Sequence, residues 1–284
     1  MGMEPKPIPN RCIWCLEEPP SATFKSESHV LPECVGNEQQ QVLPPGIVCD
    51  RCNESFSRKV EPALIDDPIF STRVAILQLR DKNGEFAYEP SPLGINRKVH
   101  LDAKVSGNKI TVSTEQYEIK GQPSKPYENR SIPPRSKDYN KRALALLSRA
   151  VHKVAFESLA HSLFVGTGQE FETEELKDID MFDQNFKIIR DWARYGQPQN
   201  SVRTVLRFQK FEAVKKQKEL TLWKFFLYGF QNWLRVELDL FNDWYIMSLT
   251  SSPSKVEGDL RNWAEQTKLE QPVCIIGDKL QLMD

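Results

Sequence analysis

The apolar positions of this chain change period several times, and the changes mark out its elements. Ser28-His29-Val30-Leu31-Pro32-Glu33 is a short apolar stretch stopped by Pro32, and Gly36-Asn37 offers a turn beyond it. Pro44-Pro45-Gly46 then bends the chain into Ile47-Val48-Cys49, which reads as a second short strand. From Asp50 onward Phe56, Val60 and Ala63-Leu64 recur at helical spacing, with Asp50 or Asn53 as the cap. The predicted order is strand, loop, strand, helix.

A β-rich stretch follows. Arg73–Leu79 alternates imperfectly, and Lys82-Asn83-Gly84 is a hairpin turn before Phe86–Tyr88. A second hairpin joins Lys98–Lys104 to Lys109–Ser113 through Ser106-Gly107-Asn108. Residues 121–140 hold Pro123, Pro126, Pro133 and Pro134 and so support neither regular helix nor a central strand. Ala143, Leu146, Leu147, Ala150, Val151, Val154, Ala155, Leu159 and Leu163 then predict an amphipathic helix ending near Gly166-Thr167-Gly168. His152 and His161 fall on different faces of it. Phe186, Ile189 and Trp192 predict a short helix closed by Gly196 and Pro198. Three aromatic strands come next, Leu220–Tyr228, Trp233–Phe241 and Trp244–Leu249, with turns at Gly229 and Asn242-Asp243. A helix over Asp259–Lys268 and a strand over Val273–Ile276 complete an α+β pattern.

At 284 residues the chain can hold about two domains. No uncharged apolar run approaches the roughly 18 to 20 residues a membrane crossing needs, so no membrane association is expected. The net charge of −1 argues against indiscriminate nucleic-acid binding, but it is unevenly spread. Between Lys120 and Lys153 basic residues far outnumber Glu128 and Asp138, and local charge sets phosphate attraction. Arg130, Arg135, Lys137, Lys141 and Arg142 are the candidate phosphate contacts of a DNA-tracking arm; the alternative is a solvated linker.

Chemistry is concentrated near the start. Cys12-Ile-Trp-Cys15 and Cys49-Asp-Arg-Cys52 are two knuckles that together supply the tetrahedral Cys₄ set of a structural Zn²⁺ site. Nothing in Met1–Lys6 resembles a signal peptide, so a reduced, cytoplasmic setting is expected and zinc is favoured over disulfides. Cys34 and Cys274 have no partner in a motif and read as small buried hydrophobes. His29, framed by the knuckles, is a reactive histidine, a packed one or a fifth ligand candidate. Asn53, read alone, is a helix cap.

With Pro32, these residues carry a resemblance to the HNH endonucleases, whose ββα-metal fold is often pinned by a four-cysteine zinc site outside the catalytic centre. It covers roughly residues 10 to 66, through Ser-His-Val-Leu-Pro-Glu and Cys-Asp-Arg-Cys-Asn. Two positions depart from the family pattern. The residue before the His is usually Asp or Glu, whereas here it is Ser28, and no clear middle Asn precedes the second knuckle, Asn37 being the candidate. The resemblance implies that His29 is the general base and that Asn53 gives an oxygen ligand to Mg²⁺ or Mn²⁺. Ser28, Glu27 or Glu33 is then the second ligand.

The expected organisation is a zinc-stabilised HNH module over 1–66, a hairpin-rich segment over 67–120, a basic linker over 121–140 and an α+β recognition or regulatory domain over 141–284. The expected function is metal-dependent nicking or double-strand cleavage of DNA, in restriction or phage defence. The alternatives are a non-catalytic zinc module that recognises nucleic acid or protein, and a ligand-activated effector. The sequence leaves open a homodimer and a small-molecule or protein activator.

Overall fold

The computed structural model describes residues 7–32, 41–67, 70, 101–106, 109–114, 141–166, 186–196, 205–209, 217–221, 223–230, 233–240, 243–249, 273–276 and 280–283. Strand β1 (Ser28–His29) pairs antiparallel with β2 (Val42–Leu43), Ser28 opposite Leu43 and His29 opposite Val42. The hairpin's second strand therefore precedes the Pro44-Pro45-Gly46 bend and does not lie at Ile47–Cys49, as the apolar run predicts. Ile47 and Val48 are apolar because they are buried under the first knuckle, where the Ile47 carbonyl accepts the Ile13 N–H at 2.9 Å. Gly46 turns that corner at φ +103°, and a Cβ there would stand 2.6 Å from Ile8 Cγ2. Only glycine fits.

Helix α1 (Asp50–Lys59) takes Cys49 as its N-cap with no side-chain capping bond. Neither Asp50 nor Asn53 caps it, because Cys49 occupies the cap position. The helix stops at Val60, where the N–H groups of Val60 and Glu61 both return to the Phe56 carbonyl, at 2.9 and 3.0 Å. Helix α2 (Pro62–Ile65) restarts with proline at its first position, where the missing N–H costs nothing. The helical period through Leu64 is thus carried by two helices.

Helix α3 (Lys141–His161) runs on into a π-helical turn, Ser162–Gly166. Its apolar stripe predicts one wet face, yet every residue from Ala150 to Phe164 is buried. It packs against α2, against β2 and against α4 (Lys187–Tyr195), which leaves no side of its C-terminal half for solvent. Helix α4 ends at Gly196, left-handed at φ +67°, and the Arg149 guanidinium donates to the last-turn carbonyls of Ala193 and Arg194 at 3.0 and 2.8 Å. Burial alone lowers the pKa of that guanidinium. The rings of Trp14 and Phe56 lie 4.5 Å apart, Trp14 and Phe156 4.9 Å, and Phe156 and Phe186 5.2 Å. These offset and edge contacts join the first knuckle, α1, α3 and the start of α4 into one core.

The remaining described elements are antiparallel. Strands β3 (Leu101–Ser106), β4 (Lys109–Thr114) and β6 (Gln217–Thr221) form one sheet in the order β3-β4-β6. Strands β5 (Val205–Gln209), β7 (Trp223–Phe230), β8 (Trp233–Leu240), β9 (Asp243–Ser248), β10 (Val273–Ile276) and β11 (Leu280–Met283) form the other, ordered β11-β10-β5-β9-β8-β7. The single strand predicted over Leu220–Tyr228 is therefore two, in different sheets. Gly229 is not a turn but lies within β7 opposite Leu234.

Arg207 on β5 reaches Asp67, just past α2, at 2.8 Å, with both side chains buried. The same Asp67 oxygen accepts the Phe70 N–H, and the Arg207 guanidinium stands 5.1 Å from the centre of the Tyr245 ring. This pair pins the end of the N-terminal module to the larger sheet. The architecture is α+β. The predicted elements at Arg73–Leu79, Lys82–Gly84, Phe86–Tyr88, 121–140 and Asp259–Lys268 lie outside the described residues. Among the described residues, no helix is long and apolar enough to cross a membrane.

Candidate active site

The first knuckle is a tight turn in which the Leu16 N–H returns to the Cys12 carbonyl at 2.8 Å. Leu16 takes φ +62°, a left-handed conformation rare outside glycine. The Cys49 N–H donates to Cys12 Sγ at 3.4 Å and ties the second knuckle to the first. All four cysteines are free thiols, and their sulfurs lie within 4.8 Å of one another, Cys15 and Cys49 at 3.6 Å. A tetrahedral Zn²⁺ with bonds of about 2.3 Å separates its sulfurs by about 3.8 Å, so this donor set fits zinc.

The crowding shows in the thiol acidities. Hydrogen bonding with Cys15, Cys49 and Cys52 pushes the Cys12 thiol above its ordinary range. The bond from Cys12 draws Cys15 down to about 4, against the effect of burial, and the same partner draws Cys49 down to about 7. Four sulfurs sharing protons in this way are poised to exchange them for a cation.

Asn53 sits on the first turn of α1, directly after the second knuckle, and its amide faces the strand that carries His29. Its Nδ2 donates to the Glu27 carbonyl at 3.0 Å, and its Oδ1 accepts the Ser28 hydroxyl at 3.2 Å. The four-cysteine cluster sets this register, since Cys52 and Asn53 are adjacent. His29 is half-buried at the end of β1. The Asp50 carboxylate braces the loop before that strand, accepting the Ser26 N–H at 2.9 Å and the Lys25 N–H at 3.0 Å.

Beneath β1 lies a buried charge cluster that the sequence reading missed. Lys153 Nζ, on α3 and fully buried, donates to the His29 carbonyl at 2.6 Å. It also pairs with Glu61 at 2.8 Å and with Glu157 at 2.9 Å. Glu157, equally buried, receives the Trp14 indole N–H at 2.9 Å and lies 3.3 Å from the Ser28 hydroxyl. Burial pushes the Glu157 carboxyl up, opposed by Lys153, Trp14 and their hydrogen bonds. Burial works against the Lys153 ammonium too, but Glu157 and Glu61 override it and hold its pKa above the usual value. The only signal in sequence was an i, i+4 Lys–Glu pair inside an apolar run.

Residues 12–69 match the family model described as HNH endonuclease. The match takes in both knuckles, β1, β2, α1 and α2, so the N-terminal module is of the HNH endonuclease type, and the four-cysteine cluster within it is a possible metal site. No curated protein and no solved structure matches the chain. Lys153 and Glu157 lie outside the matched segment, on a helix that completes the HNH module's core.

Of the residues singled out from sequence, the structure brings together Cys12, Cys15, Cys49 and Cys52 in one cluster, and Glu27, Ser28 and Asn53 in another beside His29. Glu33, Cys34, Asn37, Arg130, Arg135 and Lys137 lie outside the described residues. Lys141 and Arg142 open α3, with Arg142 exposed. A second basic feature is a cleft of about 550 Å³ between the HNH module's first knuckle and α4, whose lining includes Arg11, Lys187, Arg190 and Arg194 with Asp191 as its acid.

Proposed function

We propose that the HNH module is a DNA endonuclease that hydrolyses phosphodiester bonds with Mg²⁺ or Mn²⁺, nicking or cutting both strands. The observation that carries this reading is the pair of hydrogen bonds of the Asn53 amide, which donates to the Glu27 carbonyl and accepts the Ser28 hydroxyl, the two residues before His29. It fastens an oxygen donor of the helix beside the one histidine of the matched segment. Asn53 Oδ1 and Ser28 Oγ, 3.2 Å apart, are two hard oxygen donors, which suits a cation that keeps several waters and needs few protein ligands. When bound, such a cation supplies positive charge to the phosphoryl and leaving oxygens.

The protein's own part follows. The neutral imidazole carries a nitrogen lone pair, and His29 takes a proton from the attacking water with it. The water oxygen bonds to phosphorus, the bond to the 3′-oxygen breaks, and that oxygen takes a proton from solvent water. The products are a 5′-phosphate and a 3′-hydroxyl. Lys153 fixes the His29 carbonyl, and Asn53 fixes the Glu27 carbonyl and the Ser28 hydroxyl. The basic residues at 130–142 track phosphates, and the α+β remainder selects or regulates the target, as a restriction or phage-defence nuclease requires. A cytoplasmic setting, a homodimer and an activator fit this reading.

One observation favours a second reading, a zinc module that binds nucleic acid without cutting: Ser28 offers a hydroxyl where a carboxylate would hold a cation more firmly. Supercoiled plasmid incubated with the full-length protein and Mg²⁺ or Mn²⁺ separates the two. Relaxed or linear products with 5′-phosphate ends, abolished by EDTA under conditions that leave the zinc in place, support the nuclease; retarded but intact plasmid supports the binder.

A further inference from the structure

The Ser28 hydroxyl has one proton and stands between two acceptors, Asn53 Oδ1 at 3.2 Å and Glu157 Oε2 at 3.3 Å. Given to Asn53, that proton occupies a lone pair of the amide oxygen. Given to Glu157, it leaves Asn53 Oδ1 and the hydroxyl's own lone pairs available to a cation. Glu157 is wholly buried, and its oxygens are held as acceptors by the Trp14 indole N–H at 2.9 Å and by the Lys153 ammonium at 2.9 Å, the latter on the same Oε2 that faces the Ser28 hydroxyl. Glu61 adds a second carboxylate to the same ammonium at 2.8 Å, so two negative groups face one positive one under β1.

We propose that Glu157 is a positioning residue of the His29–Asn53 site, drawing the Ser28 proton toward itself so that the Ser28 and Asn53 oxygens are left to hold a divalent cation. The proposal rests on the nuclease reading above. It gives α3 a role in the chemistry, not only in the core: the carboxylate that tunes the site comes from a helix 88 positions beyond the end of the matched segment. Groups of this kind behind a metal ligand usually change affinity or activity by about 10–100-fold when removed.

The test uses the zinc-loaded full-length chain and Mn²⁺ as probe, titrated by the loss of free Mn²⁺ signal in electron paramagnetic resonance. Plasmid cleavage and thermal melting are followed alongside. Glu157→Gln keeps the shape but puts an NH₂ against Ser28 and Lys153 or against Trp14. It should weaken Mn²⁺ binding and kcat by about 10–100-fold with KM for DNA unchanged. Ser28→Asp should lower the melting temperature by setting a second carboxylate against Glu157. The double variant, with one carboxylate in that place again, should regain stability and most of the Mn²⁺ affinity.

Wild-type Mn²⁺ affinity in folded Glu157→Gln overturns the proposal, as does a double variant that binds no better than Glu157→Gln. Should Glu157→Gln not fold, Ser28→Ala leaves the Glu157–Lys153 pair intact and decides the matter: weakened Mn²⁺ binding supports the link and unchanged binding overturns it. A wild-type protein that neither binds Mn²⁺ nor cuts DNA overturns the nuclease reading, and this proposal with it. Binding and cutting that Glu157→Gln leaves untouched overturn this proposal alone.

Discussion

Trp14, inside the first cysteine knuckle, donates its indole N–H to Glu157 Oε1 on α3 at 2.9 Å, across 143 positions of sequence. The four-cysteine cluster and the central helix are thereby parts of one buried unit. Trp14→Phe keeps an aromatic ring against Phe56 and Phe156 but leaves Glu157 one donor short. A buried polar group left unpaired costs about 1–3 kcal/mol, and the variant should lose that much stability in urea denaturation with its zinc retained. Wild-type stability would show that the bond carries no weight.

Metal removal should have a larger effect. Structural zinc contributes roughly 10–16 kcal/mol of apparent binding energy in small modules. Cys49→Ser, or exhaustive chelation, should unfold residues 12–65 and expose Trp14, seen as lost near-ultraviolet circular dichroism. Zinc content should be one per chain. The pH dependence has a definite sign. Because Cys12 holds its proton above the usual range and Cys49 titrates at about 7, binding must displace protons, so zinc affinity rises with pH and falls as pH drops below neutrality. Affinity independent of pH between 5 and 8 would contradict the thiolate assignment.

The four-cysteine frame was legible because Cys-x-x-Cys is a local pattern whose meaning does not depend on distant residues. The helices were legible for the same reason: Phe56, Val60 and Leu64 announce themselves by period, and Gly196 by its conformational freedom. What escaped was set by tertiary packing. Ile47 and Val48 look like strand residues but are apolar because a knuckle covers them. Lys153 and Glu157 look like an exposed helical ion pair, and their partners His29 and Trp14 are 124 and 143 positions away. Asn53 reads as a cap, yet its side chain turns to a strand that only the folded hairpin brings near.

Asp50 supplies a test of the loop that leads to His29. The Thr23 hydroxyl first, and then the Ser26 and Lys25 donors, hold its carboxyl down to about 2. The group is partly exposed, so Asp50→Asn should cost only about 1 kcal/mol after solvent screening. An unfolded aspartate titrates near 3.9. The folded value is the lower one, so the contribution is complete above about pH 4 and is lost as pH falls through about 2. The difference between wild type and Asp50→Asn in urea denaturation should be equal at pH 7 and pH 5. A difference that grows below pH 4 would reverse the sign and refute the assignment.

The basic stretch can be separated from the basic cleft by salt dependence. Each phosphate contact on duplex DNA contributes about −0.9 to the slope of log affinity against log salt. Replacing Arg130, Arg135, Lys137, Lys141 and Arg142 with alanine should flatten that slope and weaken binding equally on all sequences, because phosphate contacts carry no base identity. An unchanged slope would make the stretch a linker and move the DNA path to the cleft lined by Arg11, Lys187 and Arg194.

The most direct measurement of the central claim is single-turnover cleavage of plasmid DNA by wild type and His29→Ala at equal zinc content and equal DNA affinity. Removing a positioned general base lowers a rate by roughly 10²–10⁴-fold, and a loss in that range is predicted, with zinc and DNA binding retained. Equal rates for the two proteins, or no cleavage by the wild type with any divalent cation, would contradict the account.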